Sequence, residues 1–286
     1  MWALLAVFSA ILLGLYDAAK KKALQQNGVL AVLLVATALS TLFVSPFLRP
    51  GPSGDFLRLG LKAVLVTASW ISGMAGLKLL PLTTVSTIKG SRPVFVVLFS
   101  IVLFGEHLNW MQWVGIATVL LALWLLGRTS RSDAPVEVRR RGFLYMGVSI
   151  VTGVASALYD KHIIAGMEPM FVQSWTNLFI TVLLALCIAA KALWLRSKGA
   201  SASVEKFRWD WMLVVVAVLI TGADALYFFS LKQPGALLSV ISVIRRASVL
   251  VTFVLGVLLF KEGNIRRKAL NMLLMALGVV ILLIGS

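Results

Sequence analysis

The sequence predicts an all-α integral membrane protein with ten transmembrane helices, arranged as two inverted five-helix repeats. Composition is the first reason. Of the 286 residues, 60% are hydrophobic and only 13% are charged, which is more apolar surface than a soluble domain can bury. The second reason is that the apolar residues form long runs with short polar breaks. The third is that several short sequence words recur in the same order in both halves.

Ten segments of the chain have the length and composition of a membrane-spanning helix, which needs about 20 mainly apolar residues. They cover residues 1–19, 28–48, 60–79, 82–104, 109–127, 142–163, 169–192, 210–231, 235–260 and 265–285. Several breaks between them fall at prolines that favour turns, namely Pro81, Pro169 and Pro234. The first apolar run lacks the basic start of a signal peptide and is too long for one, so we expect it to be the first span.

Three pairs of words indicate an internal duplication. They are LFGE at 103–106 with LFKE at 259–262, LYD at 15–17 with LYD at 158–160, and LK at 77–78 with LK at 231–232. A polar stretch separates the two sets. We therefore predict a first repeat at 1–127, a basic linker at 128–141 and a second repeat at 142–286. Because each repeat has an odd number of spans, the two would enter the membrane from opposite faces.

The distribution of lysine and arginine predicts the orientation. Loops after the odd-numbered spans carry 18 of these residues, whereas loops after the even-numbered spans carry five, namely Arg49, Arg58, Lys62, Lys161 and Lys232. Cytoplasmic loops are enriched in positive charge. Both termini are therefore predicted to face away from the cytoplasm in a multi-pass protein of a bacterial or archaeal cytoplasmic membrane.

Four cations remain inside predicted spans: Lys89, Arg92, Arg245 and Arg246. A charged side chain at bilayer depth costs at least about 2.5 to 3.5 kcal/mol, so such residues need partners or a wet cavity. The only acid near the middle of a span is Asp224. The excess positive charge predicts an anionic ligand, and the planar guanidinium group suits phosphate or carboxylate.

Other polar and aromatic residues near these cations are further candidates for substrate contacts. Ser86 and Ser242 occupy matching positions in the two halves and could donate to an anionic oxygen. Tyr227 lies three residues after Asp224 on the same helix face, and Trp70 occupies the matching place in the first half. The alternative for the serines is helix packing, and for the aromatics it is an interfacial or lipid-facing position.

A second set of residues is predicted to serve coupling or gating. It comprises Asp17, Asp160, Asp224, Tyr16, Tyr159 and Pro93. The aspartates could carry protons, although Asp17 and Asp160 are expected nearer the ends of their spans. Pro93 removes a backbone hydrogen bond in the fourth span and could provide a bend. The alternative is that the three aspartates pair structurally with the cations, while some cations reach out to water.

The sequence gives no indication of an enzyme. Cys187 is the single cysteine, and His107 and His162 stand apart from one another, so we predict no metal site and no cofactor. Phosphate-binding loops and hydrolase motifs are missing from the sequence. The formal charge of +16 sits mostly in short clusters between apolar runs, which favours membrane topology over nucleic-acid binding.

The ten spans, the five-plus-five repeat and the segments 86–95 through 105–106 and 242–262 resemble the drug/metabolite transporter superfamily, in particular its EamA-type members. Within it, Lys89 and the pair Arg245-Arg246 resemble the basic residues with which sugar-phosphate translocators hold a phosphate. This sequence departs from that branch by having arginine in place of lysine at Arg245, and by having Arg92 before the proline. The resemblance implies a ten-helix carrier.

The leading hypothesis is a secondary transporter or exchanger that moves a small organic anion, in particular a phosphate-bearing one, by alternating access. One alternative is a proton-coupled exporter of amino acids or cationic drugs. Another is a translocase for a lipid with a phosphate-linked head group. The predicted partners are accordingly an anionic metabolite or head group and the surrounding membrane lipids, with the chain acting as a monomer or homodimer.

Overall fold

The computed structural model describes residues 1–80, 88, 91–127, 136–197, 207–260 and 265–286, and the regular elements among these residues are all helical. The helices of the first half are α1 (Trp2–Ala23), α2 (Val29–Val44), a 3-10 helix (Ser45–Phe47), α3 (Ser53–Leu79), α4 (Arg92–Phe104) and α5 (Trp110–Gly127). Those of the second half are α6 (Val136–Gly166), α7 (Pro169–Ser197), α8 (Trp211–Lys232), α9 (Leu238–Arg246), α10 (Ser248–Phe260) and α11 (Ile265–Ile284).

Six of these helices are long and apolar enough to cross a membrane: α1, α2, α3, α6, α7 and α8. Shorter apolar helices occupy Arg92–Phe104, Trp110–Leu125 and Leu270–Ile284. Many of their large apolar side chains, such as Leu4, Val102 and Leu273, point outward, as expected of a surface that contacts lipid rather than water. α6 begins at Val136, inside the predicted linker, and residues 128–135 lie outside the described part.

The ninth predicted span is interrupted, which the sequence did not lead us to expect. The sequence predicts one helix over 235–260, whereas the structure has two helices, α9 and α10, which are separated at Ala247. The amide of Ala247 donates to the carbonyl of Ile244 at 2.9 Å, and the amide of Leu250 donates to Ala247 at 2.8 Å. These bonds have the three-residue spacing of a tight 3-10 turn, which produces a local bend in an α-helix.

A similar turn precedes α4. The Ser91 amide donates to the Ile88 carbonyl at 3.1 Å, and the Val94 amide donates to Ser91 at 3.0 Å. Prediction placed the bend of this span at Pro93. In the structure Pro93 lies in the first turn of α4, where its missing N–H leaves no helical bond unmade. The interruption therefore comes before the proline, next to Arg92.

Helices of the two halves pack against each other. α3 runs along α6, α1 along α8, α2 along α7, α5 along α11, and α4 contacts α9. Small residues bring α3 and α6 close together. Ser69 and Ser149 each donate a side-chain hydrogen bond to the other's carbonyl, at 2.8 and 2.7 Å. A Cβ on Gly76 would lie 2.7 Å from the sulfur of Met146, so the absence of a side chain there allows the close crossing.

Both chain termini lie at one end of the bundle. The hydroxyl of Ser230, at the end of α8, donates to the Trp2 carbonyl at 2.8 Å. The side chain of Asn109, just before α5, donates to the Gly285 carbonyl at 2.7 Å. Glu106, in the same connection as Asn109, binds the start of α9. Which end of the bundle faces the cytoplasm remains a prediction from the charge distribution.

Candidate functional site

Lys62 belongs to the interior of the bundle and not to a loop, which corrects the prediction. α3 begins at Ser53 and not near residue 60, so Lys62 lies within the helix, and its side chain is only 3% exposed. Its Nζ lies 2.6 Å from Oδ1 of Asp160 on α6 and 4.0 Å from the ring centroid of Phe228. The early turns of α3 carry Asp55, which hydropathy assigned to a loop.

Asp160 lies toward the end of its span, as expected, six residues before the end of α6, and is nevertheless buried among helices. Its side chain is 9% exposed. The hydroxyl of Tyr227 donates to its Oδ2 at 3.3 Å. Its Oδ1 receives the close contact from Nζ of Lys62. The Lys62–Asp160 pair is therefore a short, buried ion pair.

Arg245 extends this arrangement toward α8. Its Nη2 donates to Oδ1 of Asp224 at 2.9 Å, and its Cζ lies 4.0 Å from the ring centroid of Tyr227. The side chains of Arg245 and Asp224 are 19% and 31% exposed. The structure thus brings together three of the predicted site residues with Asp160 and Lys62. A guanidinium group over an aromatic face is a favourable cation–π contact.

Arg92 lies at the first turn of α4 and reaches α6. Its Nη2 donates to the carbonyl of Gly153. A Cβ at Gly153 would lie 3.0 Å from Cζ of Arg92 and 2.9 Å from Oγ of Ser69, so the glycine makes room for the guanidinium group. Among the residues that the structure describes, Arg92 contacts no carboxylate within ion-pair distance. Its charge interacts with the more distant charge of Asp160.

Arg246 points in a different direction from Arg245. Adjacent helical residues are separated by about 100° around the axis. Arg245 faces Asp224 on α8, whereas the charge of Arg246 interacts with that of Asp17 on α1, a helix that packs against α9. The two arginines of the pair therefore have different acidic neighbours.

We call this group of residues the central charge cluster: Lys62, Arg92, Arg245, Arg246, Asp17, Asp160, Asp224 and Tyr227. Its described members include four cations and three carboxylates. The sequence predicts four cations with a single acid near midspan. In the structure more acids lie close to the cations than expected, and the described cations exceed the described carboxylates by one. Lys89 and Ser86, the other predicted members of the site, lie outside the described residues.

Two of the predicted contact residues lie beside the cluster without a described contact to it. Ser242 is half-buried on α9, one turn before Arg246. Trp70 packs with an apolar group that contains Leu33, Ala63 and Ile180. Trp70 and Asp224 therefore have different neighbours, although they occupy matching positions in the two repeats.

The tyrosines next to Asp17 and Asp160 contact residues outside the central charge cluster. Nζ of Lys20 lies 5.2 Å from the ring centroid of Tyr16, and the charge of Lys20 also interacts with that of Asp17. The ring of Tyr159 stacks on His162, with centroids 6.1 Å apart. The two repeated LYD words therefore have different surroundings.

Sequence reasoning missed a second buried ionic group, which we call the end clamp: Glu106, Lys161 and the first residues of α9. Glu106 accepts hydrogen bonds from the amides of Leu238 at 2.7 Å and Ser239 at 3.1 Å, and from the Ser239 hydroxyl. Lys161 donates to Glu106 and, at 3.1 Å, to the carbonyl of Ala236. A carboxylate at a helix N-terminus satisfies free amides and the helix dipole.

The sequence did contain a signal for this clamp. Glu106 ends the repeated word LFGE, and its position after a left-handed Gly105 (φ 60°) places it just beyond the end of α4. Lys161 was assigned to a loop, whereas it belongs to α6 and is 21% exposed. A run of apolar residues cannot indicate which distant helix end a carboxylate will bind, so the partner was not predictable.

Two surface grooves lie away from the cluster. One, of about 630 Å³, follows the outer face of α6, and another, of about 480 Å³, lies between α5 and α11. Neither is lined by a residue of the central charge cluster. In this conformation Lys62, Asp160, Tyr227, Arg245 and Asp224 form a continuous series of side-chain contacts. Among the described residues, no group of three or more histidine, cysteine or acidic side chains could hold a metal ion.

Comparison with known proteins agrees with this architecture. Residues 1–128 match the EamA-like transporter family. A protein of Sinorhizobium sp described as "Uncharacterized transporter in cobO 3'region" is 28% identical over 133 residues, which are 44% of this chain and 93% of that protein. A known crystal structure superposes with a TM-score of 0.76 over 99% of both chains, at 16% identity.

These similarities, together with the apolar helices, identify the chain as an integral multi-pass membrane protein whose first half is similar to EamA-type transporters. The structural match extends to the whole chain and concerns the fold alone. The resemblance to the sugar-phosphate translocator branch remains a prediction.

Proposed function

We propose that the protein is a carrier for a small organic anion, which binds at the central charge cluster and is released to either side by alternating access. The observation that carries the proposal is the environment of Arg92. Its guanidinium group reaches the interior, donates to the carbonyl of Gly153, and belongs to a cluster with one excess positive charge among the described residues. A buried charge of this kind is costly unless an opposite charge meets it.

The pairing of the existing carboxylates favours an anionic over a cationic cargo. Asp160 already contacts Lys62, and Asp224 already contacts Arg245. A cationic drug would have to displace one of these tethered cations before it could bind. An anion could instead use the free donor capacity of guanidinium groups, which bind phosphate and carboxylate in a forked geometry. The phosphate-bearing class is therefore our first choice of cargo.

Several observations support two equivalent five-helix halves. α4 and α10 both have 13 residues, and 156 positions separate both their starts and their ends. The same offset relates the turns at Ser91 and Ala247, and it relates LFGE to LFKE. The packing of α1 on α8 mirrors that of α6 on α3. A carrier built from two such halves can expose one central site to each side in turn.

Transport into liposomes tests the proposal. Purified protein would be reconstituted and assayed for uptake of inorganic phosphate, glycerol 3-phosphate, succinate, lysine and tetraphenylphosphonium. We expect uptake of at least one phosphorylated or carboxylated solute. Arg92→Gln should reduce that uptake at least about tenfold, since buried charged hydrogen bonds contribute about 2 to 5 kcal/mol. Arg140→Gln, on the outer face of α6, is the matched control and should transport normally.

Two outcomes would contradict the proposal. Uptake of lysine or tetraphenylphosphonium that survives Arg92→Gln and depends on a proton gradient would favour the exporter of amino acids or cationic drugs. Movement of a fluorescent phosphatidylglycerol between leaflets, with no uptake of soluble anions, would favour the lipid translocase.

A further inference from the structure

We propose that Asp160 is an internal counter-ion of Lys62 which the cargo replaces, so that binding of an anion is accompanied by uptake of one proton at Asp160. This inference rests on the proposed function and adds the coupling ion to it. It follows from the buried Lys62–Asp160 pair, which sequence reasoning did not anticipate.

Lys62 provides an anion site that is already occupied by the protein itself. Its ammonium group is almost fully buried, and Asp160 is the carboxylate within ion-pair distance of it among the described residues. The ammonium group has three donors, and Asp160 is 2.6 Å from its Nζ through one carboxylate oxygen, Oδ1. A mobile carboxylate or phosphate could engage the donors of Lys62 that are not directed at Oδ1.

An anion bound between Lys62 and Arg92 would lie beside Asp160, because the charges of Arg92 and Asp160 already interact. Two carboxylate-like charges within about 4 to 6 Å disfavour each other's ionisation. Protonation of Asp160 removes this repulsion. One arriving monoanion and one proton leave the total charge of the cluster unchanged.

Asp160 is better suited to take this proton than the other two carboxylates. Asp224 accepts a well-directed bond from Arg245 and is 31% exposed, and Asp17 lies on α1 at an exposed position. Tyr227 lies 3.3 Å from Oδ2 of Asp160, and its hydroxyl can donate to a carboxylate or accept from a carboxylic acid.

The titratable groups that act on Asp160 come from three other helices. These are Lys62 from α3, Arg92 from α4, and Tyr227 and Asp224 from α8. The cations among them stabilise an ionised Asp160 in the empty carrier. A bound anion would offset that stabilisation, which is the physical basis of the coupling.

Formate is a suitable probe because it is the smallest carboxylate. The thermal unfolding temperature of the detergent-solubilised chain would be measured against formate concentration between pH 5.5 and 7.5, with ionic strength balanced by potassium chloride. For the wild type we expect formate to stabilise at lower concentrations as the pH falls. The half-effective concentration should change by up to about tenfold per pH unit, as linkage to one proton requires.

The variants separate the roles of the two residues. Asp160→Asn leaves Lys62 without its counter-ion and should bind formate at all these pH values without the pH dependence. The double variant Lys62→Met/Asp160→Asn should lose this response. Glu168→Gln, which removes an exposed carboxylate outside the cluster, is the control and should keep the pH dependence of the wild type.

The inference is overturned if the wild type responds to formate equally at pH 5.5 and 7.5, or if Asp160→Asn responds no better than the double variant. If Asp160→Asn does not fold, the pH dependence of the wild type, compared with that of Glu168→Gln, decides. A pH-independent response refutes the proton coupling alone and leaves an anion carrier. If neither formate nor inorganic phosphate stabilises any of these proteins at any pH, the proposed function fails as well.

Discussion

The end clamp and the central charge cluster are two buried ionic groups on the same helices, and they differ in how completely their charges are satisfied. Glu106 in the clamp is 2% exposed, and it accepts from two amides, a hydroxyl and an ammonium group. One negative and one positive charge balance. In the central cluster the described cations exceed the carboxylates by one, and Nε of Arg245 is buried without a hydrogen-bond partner.

The difference indicates different roles. A fully satisfied buried carboxylate holds two elements in one geometry, because any movement would leave its donors and itself unpaired. A cluster whose charges are incompletely satisfied can still bind a charged ligand, but the unsatisfied charges lower the stability of the protein. We therefore assign the clamp to the closure of one end of the bundle and the cluster to binding. Residues 160 and 161 are adjacent on α6 and serve one group each.

The largest effect is expected from Glu106→Ala. The substitution leaves the half-buried Lys161 without its counter-ion and the buried first amides of α9 without their acceptor, so the free energy of unfolding should fall by about 3 to 5 kcal/mol. Thermal or denaturant unfolding in detergent measures this. The exposed Glu168, which lies 3.9 Å from Arg49, is the matched control. Glu168→Ala should cost less than about 1 kcal/mol. Equal losses in the two variants would contradict the distinction between a clamp and a surface pair.

The second effect concerns Lys62. Lys62→Met should destabilise by about 3 kcal/mol, because it leaves Asp160 as an uncompensated buried charge. Adding Asp160→Asn to this variant should restore most of the loss, since a neutral pair of similar volume is tolerated in place of a buried ion pair. A double-mutant cycle of unfolding free energies measures the coupling. Additive losses would show that the two charges do not depend on one another.

A smaller effect is expected from Gly153→Ala. The new methyl group would press on Arg92 and Ser69, at 3.0 and 2.9 Å, and should cost about 1 to 3 kcal/mol of stability as overpacking does. It should also weaken anion-dependent stabilisation by displacing the guanidinium group. Gly147, on the same helix with open space around it, provides the control, and Gly147→Ala should change stability by less than about 1 kcal/mol. Normal anion response in Gly153→Ala would argue against Arg92 as a binding residue.

The helical class and most helix positions could be predicted from sequence, because long apolar runs have few alternatives in a membrane. The residue at which α3 begins could not be predicted in this way. Its first turns contain Asp55 and Arg58, which form an ion pair at 3.6 Å, and polar residues near the membrane boundary lower the hydropathy that locates a span. Lys62 was consequently placed in a loop.

Several residues of the site could be predicted from the sequence, but which of them pair with one another could not. Arg245, Asp224 and Tyr227 stood out because charged and aromatic residues inside apolar helices are unusual, and the structure places them in contact. The partners of Lys62 and Glu106 come from helices 98 and 132 positions away in sequence. Periodicity and composition within one helix carry no information about such distant pairing, which only the assembled bundle determines.

Anion-dependent stabilisation of the wild type and Arg92→Gln tests the central claim most directly. Unfolding temperatures would be measured for both proteins and for Arg140→Gln against inorganic phosphate, glycerol 3-phosphate and succinate. The account predicts that at least one of these anions stabilises the wild type and Arg140→Gln equally, and that Arg92→Gln requires at least about ten times more of it. An identical response of all three proteins would contradict the assignment of the central charge cluster as the anion site.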